Sequence, residues 1–499
     1  MYKDSTRTAQ PEVTAQPEAL EAPEAHLRRS LQPRHMTMIA MGGAIGTGLF
    51  VASGNSIATA GPGGALVAYL AIGLMVFLLM QSLGEMAAWR PTSGSFGDHA
   101  TQYVSPSFGF AIGWNYWFNW AITLAAELVA AALIMRYWLP DVPAFVWSGL
   151  FLVIVFALNA LSTRAYGEGE FWLSAIKVAA VVGFLVLGIM MILGIMGGEA
   201  PGFENWTTGE APFVGGPMTI LAIFMVAGFS FQGTELVGVA AGEAQDPEQT
   251  VPKAIRTVFV RILLFYVLAI IVIGFMLPYV HPNLLASDIE DVAISPFTLV
   301  LENAGVAFAG SVMNAVILTA ILSAGNSGLY ASTRMLWSMA TDGKAPAFLA
   351  KLNGRGVPMR ALLATSSFGL LAFLTTFVGE GAAYTWLLNA SALAGFIVWA
   401  GIAWTHYRFR KAFTAQGRSL SELPFRSRFF PAGPILALIM CVLVILGQGY
   451  EAFVTGRVTP LALLSSYIGL PLFLAFWIGH KISTRQPAVE PAQADLSRG

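Results

Sequence analysis

Residues 42–48 read Gly-Gly-Ala-Ile-Gly-Thr-Gly, and they lie inside an apolar stretch that runs from about residue 36 to residue 60. Four glycines among seven residues should break a membrane helix near its middle, because glycine loses the most conformational freedom in a helix. A second apolar stretch carries Gly-Phe-Ser-Phe-Gln-Gly-Thr-Glu at residues 228–235. Broken helices persist at membrane depth only where their backbone groups line a cavity. Two such spans at matching places in two halves of a chain predict a transporter and mark its substrate site.

The composition predicts an all-α polytopic membrane protein. Of 499 residues, 56% are hydrophobic and 11% are charged, and the mean hydropathy is +0.67. Soluble domains carry about 25% charged residues, whereas a helical span needs roughly 20 mostly apolar residues. About twelve stretches meet that standard. They are residues 36–60, 65–88, 108–138, 143–161, 170–197, 214–241, 256–280, 302–338, 360–378, 383–405, 432–450 and 459–480.

Other classes of protein find little support in the chain. The net charge of −1 gives no reason to expect a nucleic-acid partner, and the single cysteine, Cys441, excludes an internal disulfide. We find no metal-ligand spacing, no phosphate-binding loop and no Ser-His-Asp pattern in a soluble context. We therefore expect no metal, no cofactor and no enzyme activity.

The ends of the chain read as tails. Residues 1–26 are rich in Ala, Pro and Glu and lack the apolar core of a signal peptide. We interpret them, and likewise residues 484–499, as disordered cytoplasmic tails. The membrane domain predicted between them covers residues 27–483.

The positions of Lys and Arg predict the orientation of the chain. With twelve spans, 24 of the 27 basic residues fall on the side of the two termini, while Arg136 and Arg457 fall on the other side and Lys177 falls within a span. Basic residues accumulate on the cytoplasmic side of membrane proteins. Both termini are therefore predicted to be cytoplasmic.

The two broken spans are the first and the sixth, which predicts two inverted repeats of five helices each. The first repeat covers about residues 35–197 and the second about residues 214–405. Two peripheral helices follow, at about residues 431–480. An odd number of helices per repeat makes the second copy enter the membrane from the opposite side.

The first break is predicted to bind an anion. Unpaired N–H groups at the start of a half-helix attract negative charge, and glycine allows close approach to the backbone. A substrate carboxylate would fit this segment, whose candidate residues are Ala44, Ile45, Gly46, Thr47 and Gly48. The alternative interpretation is close helix packing through small residues.

The second break is predicted to bind the substrate's amino group through free carbonyls between Phe229 and Gln232. Phe231 would cover the bound substrate as a gate. The alternative for Phe231 is ordinary core or lipid packing.

A polar stripe crosses the third span. Asn119, Thr123 and Glu127 are spaced four residues apart and so share one helical face. Ionisable side chains inside membranes are usually functional. Glu127 is predicted to meet a cationic substrate end, to carry a proton, or to pair with a fixed cation, and Asn119 or Ser323 would assist it.

Two further charged residues are candidates for proton coupling. Lys177 lies within the fifth span, and a buried ammonium releases its proton readily; the alternative is a lysine that extends to the membrane surface. Glu235 follows the second break and would pair with Lys177, cap the half-helix or line a vestibule. Glu243, at the end of the sixth span, is expected to be solvated.

The chain resembles bacterial amino acid permeases of the amino acid–polyamine–organocation superfamily over about residues 27–480. The likeness is carried by RHMTMIAMGGAIGTGLF at residues 34–50, RPTSGSF at 90–96 and FQGTELVGVAAGE at 231–243. The stretches 113–120, 314–334 and 386–391 are similar to the lysine-transporting members in particular. The resemblance implies two inverted five-helix repeats, backbone binding of substrate at both breaks, and a proton-linked role for Lys177.

These observations together predict proton-coupled import of L-lysine across the bacterial inner membrane by alternating access. The expected partners are L-lysine, a proton and the lipid bilayer. Two alternatives stay open. The chain could be a permease for an aromatic amino acid, γ-aminobutyrate or arginine, or it could be a lysine receptor without net transport.

Overall fold

A computed structural model describes residues 29–43, 45–50, 52–196, 199–285, 295–306, 308–448, 456 and 466–498. Two predictions concern residues outside these ranges. They are the tail at residues 1–26, and Ala44 of the predicted carboxylate site.

Twenty α-helices are described here, and we number them in chain order. They are α1 (Pro33–Gly42), α2 (Thr47–Phe50), α3 (Ala52–Trp89), α4 (Ser95–Tyr103), α5 (Pro106–Met135), α6 (Ala144–Leu161), α7 (Thr163–Ile192), α8 (Pro217–Ala222), α9 (Phe224–Phe231), α10 (Leu236–Ala240), α11 (Pro247–Arg261), α12 (Leu268–Met276), α13 (Pro282–Leu285), α14 (Pro296–Asn303), α15 (Ala309–Thr341), α16 (Met359–Ser366), α17 (Thr375–Val378), α18 (Glu380–Ala415), α19 (Ala432–Gly447) and α20 (Gly469–Thr484).

The described helices confirm a polytopic, α-helical membrane protein. Eight helical segments are long and apolar enough to cross a membrane, and the shorter apolar helices Leu264–Met276 and Ala432–Gly447 accompany them. The longest, α3, contains a sharp bend at Gly61, whose φ is 74°, immediately before Pro62. The backbone at Gly61 is not helical, so α3 consists of two helices joined at this point. Glycine adopts such a φ without strain. The count of twelve spans and the inverted repeats stay predictions.

The helix α5 lies at the centre of the bundle. It packs against α15, α18, α20, α4 and α6, and 89% of its most apolar window is buried. By contrast, α6 and α7 expose most of their apolar residues, including Val153 and Trp172. Such broad apolar exposure suits contact with lipid chains.

Both predicted helix breaks are present. The first lies between the end of α1 at Gly42 and the start of α2 at Thr47. The second lies between the end of α9 at Phe231 and the start of α10, where Gly233 has a φ of 91°. The two breaks touch, because a Cβ on Gly48 would lie 2.5 Å from the Cα of Ser230. Glycine at position 48 therefore allows α2 and α9 to pack backbone against backbone.

Several charged residues that the sequence places near the ends of spans or beyond them are buried between helices. Arg261, Arg334 and Arg410 were counted among the basic residues of one membrane side, yet each is at most 3% exposed. Glu243 was expected to be solvated and is fully buried, with Arg334 Nε at 2.9 Å from its Oε1. The sequence does not show that these residues are buried, because their partners come from distant segments.

The C-terminal segment, residues 485–498, lies along one face of the bundle, which we call the terminal face. The N–H of Val489 donates to the carbonyl of Val104 at 2.8 Å, and Arg90 forms an ion pair with Asp495 at 2.9 Å. Leu496 is 5% exposed. The expectation of a disordered C-terminal tail is therefore wrong for these residues. A backbone hydrogen bond, an ion pair and a buried leucine hold them against the helix ends.

Candidate functional site

A small cavity lies between the two helix breaks and the central helix α5. Its volume is about 20 Å³, which is room for about one water molecule. The cavity is therefore contracted in this conformation, and a bound amino acid would require it to widen. The lining residues are Gly43, Gly46 and Gly48 from the first break, Trp120, Thr123 and Glu127 from α5, Phe229 and Gln232 from the second break, and Ala324 from α15.

Glu127 brings an incompletely bonded carboxylate to this cavity. Its side chain is 4% exposed, and its Oε1 accepts a hydrogen bond from Thr47 Oγ1 at 3.3 Å. Its Oε2 is buried and has no hydrogen-bond partner among the described residues. Burying an unpartnered carboxylate oxygen is costly, so this oxygen is the position at which a cationic ligand would be most stabilised.

The other two members of the predicted polar stripe lie in one hydrogen-bond network. Ser391 Oγ donates to Asn119 Oδ1 at 2.9 Å and lies 2.6 Å from Thr123 Oγ1. Gln232 Nε2 donates to the carbonyl of Ala392 at 3.0 Å. Thr123 and Gln232 line the cavity, whereas Asn119 is not among its lining residues and supports them from behind.

The first break presents part of its predicted anion site to the cavity. The N–H of Ile45 already donates to the carbonyl of Gly42 at 3.0 Å, so this group is occupied. Thr47 begins α2, and the first N–H groups of a helix have no partner within it. Gly46 and Gly48 line the cavity, which leaves the segment from Gly46 to Gly48 as the part of the predicted anion site that faces the cavity.

The carbonyls of the second break differ from their prediction. The carbonyls of Phe229, Ser230 and Phe231 are not free, because they accept hydrogen bonds from Gln232 N, Tyr266 Oη and Thr234 Oγ1. Each carbonyl retains a second lone pair, and Phe229 lines the cavity.

Phe231 is a second difference, since it does not cover the cavity. Its ring is fully buried and stacks on Tyr266 with centroids 4.0 Å apart, beside Tyr69 at 6.1 Å. In this conformation Phe231 does not line the cavity, and its ring packs in the aromatic cluster instead. A gate at this position stays a prediction.

Lys177 points into the protein rather than to the membrane surface. It is fully buried, and its Nζ donates to the carbonyl of Gly42 and to Ser323 Oγ, the latter at 2.8 Å. The lysine therefore sits directly behind the first break. Ser323 was predicted to assist substrate binding, but its hydroxyl contacts Lys177 and Glu170 instead.

Glu235 caps the second break and does not pair with Lys177. The N–H of Gly233 donates to both of its carboxylate oxygens, at 3.2 and 3.1 Å. Trp399 Nε1 donates to the same carboxylate at 3.1 Å. Of the three predicted roles, capping is the one that these contacts match.

Four residues near these groups were not identified from the sequence. Trp120 lines the cavity, and Tyr384 lies beside Thr47 and Glu127. Arg261 donates to the carbonyl of Ala40 and to Thr234 Oγ1, both at 2.7 Å, and so joins the two broken helices. Glu170 lies 3.8 Å from Lys177. Only Glu170 carried a sequence signal, since it is seven residues before Lys177 and shares its helical face.

Among the described residues, no three His, Cys, Asp or Glu side chains are grouped closely enough to hold a metal ion.

The chain is similar to known amino acid permeases. The amino acid permease family matches residues 35–492. The lysine-specific permease of Escherichia coli (strain K12) is 56% identical over 91% of this chain and 94% of its own. The lysine-specific permease of Lactococcus lactis subsp. cremoris (strain MG1363) is 51% identical over 95% and 94%. The histidine permease of the same Lactococcus strain is 44% identical over 95% and 98%.

Proposed function

The chain belongs to the amino acid permease family, and on that premise we propose that it imports L-lysine together with a proton by alternating access. It is a multi-pass membrane protein and a transporter rather than an enzyme. The observation that carries the choice of a cationic substrate is the buried Oε2 of Glu127 at the cavity, which has no hydrogen-bond partner within the described ranges.

The proposed binding mode divides lysine among three parts of the site. The α-carboxylate binds the backbone N–H groups between Gly46 and Gly48, at the positive end of α2. The α-ammonium binds the remaining carbonyl lone pairs at Phe229. The side-chain ammonium reaches Glu127, where a charge-assisted hydrogen bond replaces water lost on entry.

Lys177 is the proposed proton carrier. Its contact with the Gly42 carbonyl links its charge to the end of α1, so that losing the proton would loosen the first break. Coupling is not required on energetic grounds alone, since a cation that enters down a potential of 100 mV gains about 2.3 kcal/mol. Proton coupling therefore needs its own measurement.

The proposed location is the bacterial inner membrane, with the terminal face in the cytoplasm. The support is the distribution of Lys and Arg along the chain. When the buried arginines are left out, the basic residues assigned to the side of the termini still include exposed ones such as Lys253, Lys351 and Arg355.

Histidine is the competing substrate that a specific observation favours, because one relative is named a histidine permease. An imidazolium would also be stabilised by Glu127. The lysine-specific relatives have the higher identity, 56% and 51% against 44%, which supports lysine.

The test is uptake of radiolabelled L-lysine into proteoliposomes that contain the purified protein. Unlabelled lysine, histidine, arginine, phenylalanine and γ-aminobutyrate compete in turn, with and without an inward proton gradient. We expect lysine to compete best and the gradient to drive accumulation. Better competition by another amino acid would reassign the substrate, and binding without accumulation would indicate a receptor.

A further inference from the structure

A buried glutamate that the substrate site does not use lies next to Lys177. Glu170 is on the same helix, α7, and is fully buried. Its Oε1 accepts hydrogen bonds from Ser323 Oγ at 2.6 Å and Ser174 Oγ at 3.0 Å, and lies 3.8 Å from Lys177 Nζ. Its Oε2 is buried and has no hydrogen-bond partner in the described part of the chain.

The hydroxyl of Ser323 connects the two charged groups. Lys177 Nζ donates to Ser323 Oγ at 2.8 Å, and Ser323 Oγ donates to Glu170 Oε1 at 2.6 Å. Both distances are those of good hydrogen bonds. We propose that Glu170 is the proton acceptor for Lys177, and that the proton reaches it through Ser323. The proposal rests on the proton-coupled transport proposed above.

The transfer balances without any further reactant. One N–H bond of the Lys177 ammonium breaks as its proton moves to Ser323 Oγ, and the hydroxyl proton of Ser323 moves to Glu170 Oε1. Lys177 becomes a neutral amine, Glu170 becomes a neutral carboxylic acid, and Ser323 is unchanged. A buried ion pair is thereby replaced by two neutral groups, which removes the cost of two desolvated charges.

Comparison with a structural ion pair in the same protein distinguishes Glu170 from a simple counter-ion. Both oxygens of Glu243 are bonded, Oε1 to Tyr330 Oη at 2.7 Å and to Arg334, and Oε2 to Thr163 Oγ1 at 2.6 Å. Hydrogen bonds to both oxygens stabilise the ion pair of Glu243 with Arg334. Glu170 differs, because its Oε2 has no hydrogen-bond partner in the described residues and its carboxyl group is therefore less completely bonded.

The position of Glu170 fits a route towards the terminal face, which we assign to the cytoplasm. It precedes Lys177 by seven residues, or about 10 Å along the helix, in the direction of the start of α7. Beyond it, Tyr166 and Tyr330 stack with ring centroids 4.0 Å apart, followed by the Glu243–Arg334 pair. The proton thus rests on Glu170 while these groups are packed together, and leaves when they separate.

The surrounding charges link this transfer to the substrate. The ionisable groups that act on Lys177 from neighbouring helices are Glu127 of α5 and Arg261 of α11. Tyr166, on the same helix as Glu170, interacts with it electrostatically. A substrate ammonium bound at Glu127 would neutralise the negative charge that acts on Lys177 from α5, which favours movement of the proton from Lys177 to Glu170.

The test compares Glu170→Gln with the wild-type protein in proteoliposomes. Glutamine keeps a carbonyl oxygen that accepts from Ser323 and Ser174 but cannot take up the proton. We expect lysine counterflow, which needs no net proton movement, to resemble the wild type, while uptake driven by a proton gradient falls by at least about tenfold. The matched control is Glu204→Gln, an exposed glutamate, which should leave both unchanged.

A second variant, Ser323→Ala, removes the connecting hydroxyl and should lose gradient-driven uptake in the same way. If the wild type ignores the gradient, proton coupling fails, and the role of Glu170 fails with it. A wild type that responds while Glu170→Gln responds equally overturns the role of Glu170 alone. Loss of counterflow in both variants would show a structural role instead, and if Glu170→Gln does not fold, a full gradient response in Ser323→Ala overturns the proposal.

Discussion

Two buried ionisable side chains stand on opposite sides of the first helix break. Glu127 faces the cavity and bonds to Thr47, while Lys177 bonds to the carbonyl of Gly42 behind the break. Neither is neutralised by direct contact with the other. This separation allows one group to bind the substrate and the other to carry the proton, as proposed.

Replacing Lys177 by alanine tests the proton carrier. We predict that lysine uptake by Lys177→Ala no longer responds to an imposed proton gradient, because the substitution removes the group that carries the proton to the first break. The measurement is initial uptake into proteoliposomes at several external pH values. The exposed Lys253 provides the control, Lys253→Ala, and a persisting gradient response in Lys177→Ala would place the coupling site elsewhere.

The broken helices act as a joined pair rather than as two separate elements. Gly48 of α2 packs against the backbone of Ser230 of α9, and the guanidinium of Arg261 bonds to both the Ala40 carbonyl and Thr234. A movement of one break is therefore transmitted to the other. A substrate held between them would meet both during the same conformational change.

Adding a methyl group at Gly48 should disturb this junction. A Cβ there would lie 2.5 Å from Ser230 Cα and 2.9 Å from its N, and overpacking of this kind costs about 1–3 kcal/mol. We predict that Gly48→Ala loses lysine uptake and lowers the thermal unfolding temperature of the detergent-purified protein.

The matched control for this substitution is Gly183→Ala. Gly183 is an exposed glycine of α7, and its would-be Cβ has no atom of the described residues within 4 Å apart from its chain neighbours and the adjoining helix backbone. It should retain uptake and unfolding temperature. Equal behaviour of the two variants would contradict the close contact between α2 and α9.

At the scale of the whole molecule, the C-terminal segment joins parts of the chain that are distant in sequence. The ion pair of Asp495 with Arg90 holds it near the end of α3, and Gln416 of the α18 end donates to the Ala494 carbonyl at 2.7 Å. Arg498 lies over the ring of Trp89 at 4.6 Å and within 3.4 Å of Glu248. The segment thus braces the terminal face.

Deleting residues 486–499 should lower the thermal unfolding temperature while lysine binding persists, because none of the residues that line the cavity belongs to this segment. The single substitution Asp495→Asn should change the unfolding temperature little, since one exposed ion pair contributes about 0–1 kcal/mol. Thermal unfolding of both variants in detergent checks this. An unchanged unfolding temperature after the deletion would show that the segment does not stabilise the protein.

The docking of this segment should not respond to pH in the range used for transport assays. The N–H of Ser497 and the guanidinium of Arg90 lower the pKa of Asp495 to about 2. A carboxylate with a lowered pKa contributes its stabilisation above its ordinary pKa near 4 and loses it as the pH falls towards 2. A pH effect on transport near neutrality therefore belongs to other groups.

Much of this architecture could be predicted because its signals are local. The glycines of the two breaks are neighbours in sequence, and the apolar runs define the helices directly. The inward direction of Glu127 follows from its four-residue spacing with Thr123. These features need no knowledge of which helices pack together.

The features that could not be predicted depend on contacts between distant segments. Arg261 and Glu243 look like residues at helix ends, and their burial depends on Thr234 and Arg334 on other helices. Phe231 does not line the cavity, and its ring packs against Tyr69 and Tyr266 instead. A single sequence gives no information about these partners.

The central claim is that an amino acid binds between the two breaks with its side-chain ammonium at Glu127. The most direct measurement is equilibrium binding of L-lysine and of L-norleucine, which lacks that ammonium, to the purified wild type and to Glu127→Gln. We predict that the wild type strongly prefers lysine and that Glu127→Gln loses this preference. A variant that still prefers lysine as strongly as the wild type would contradict the account.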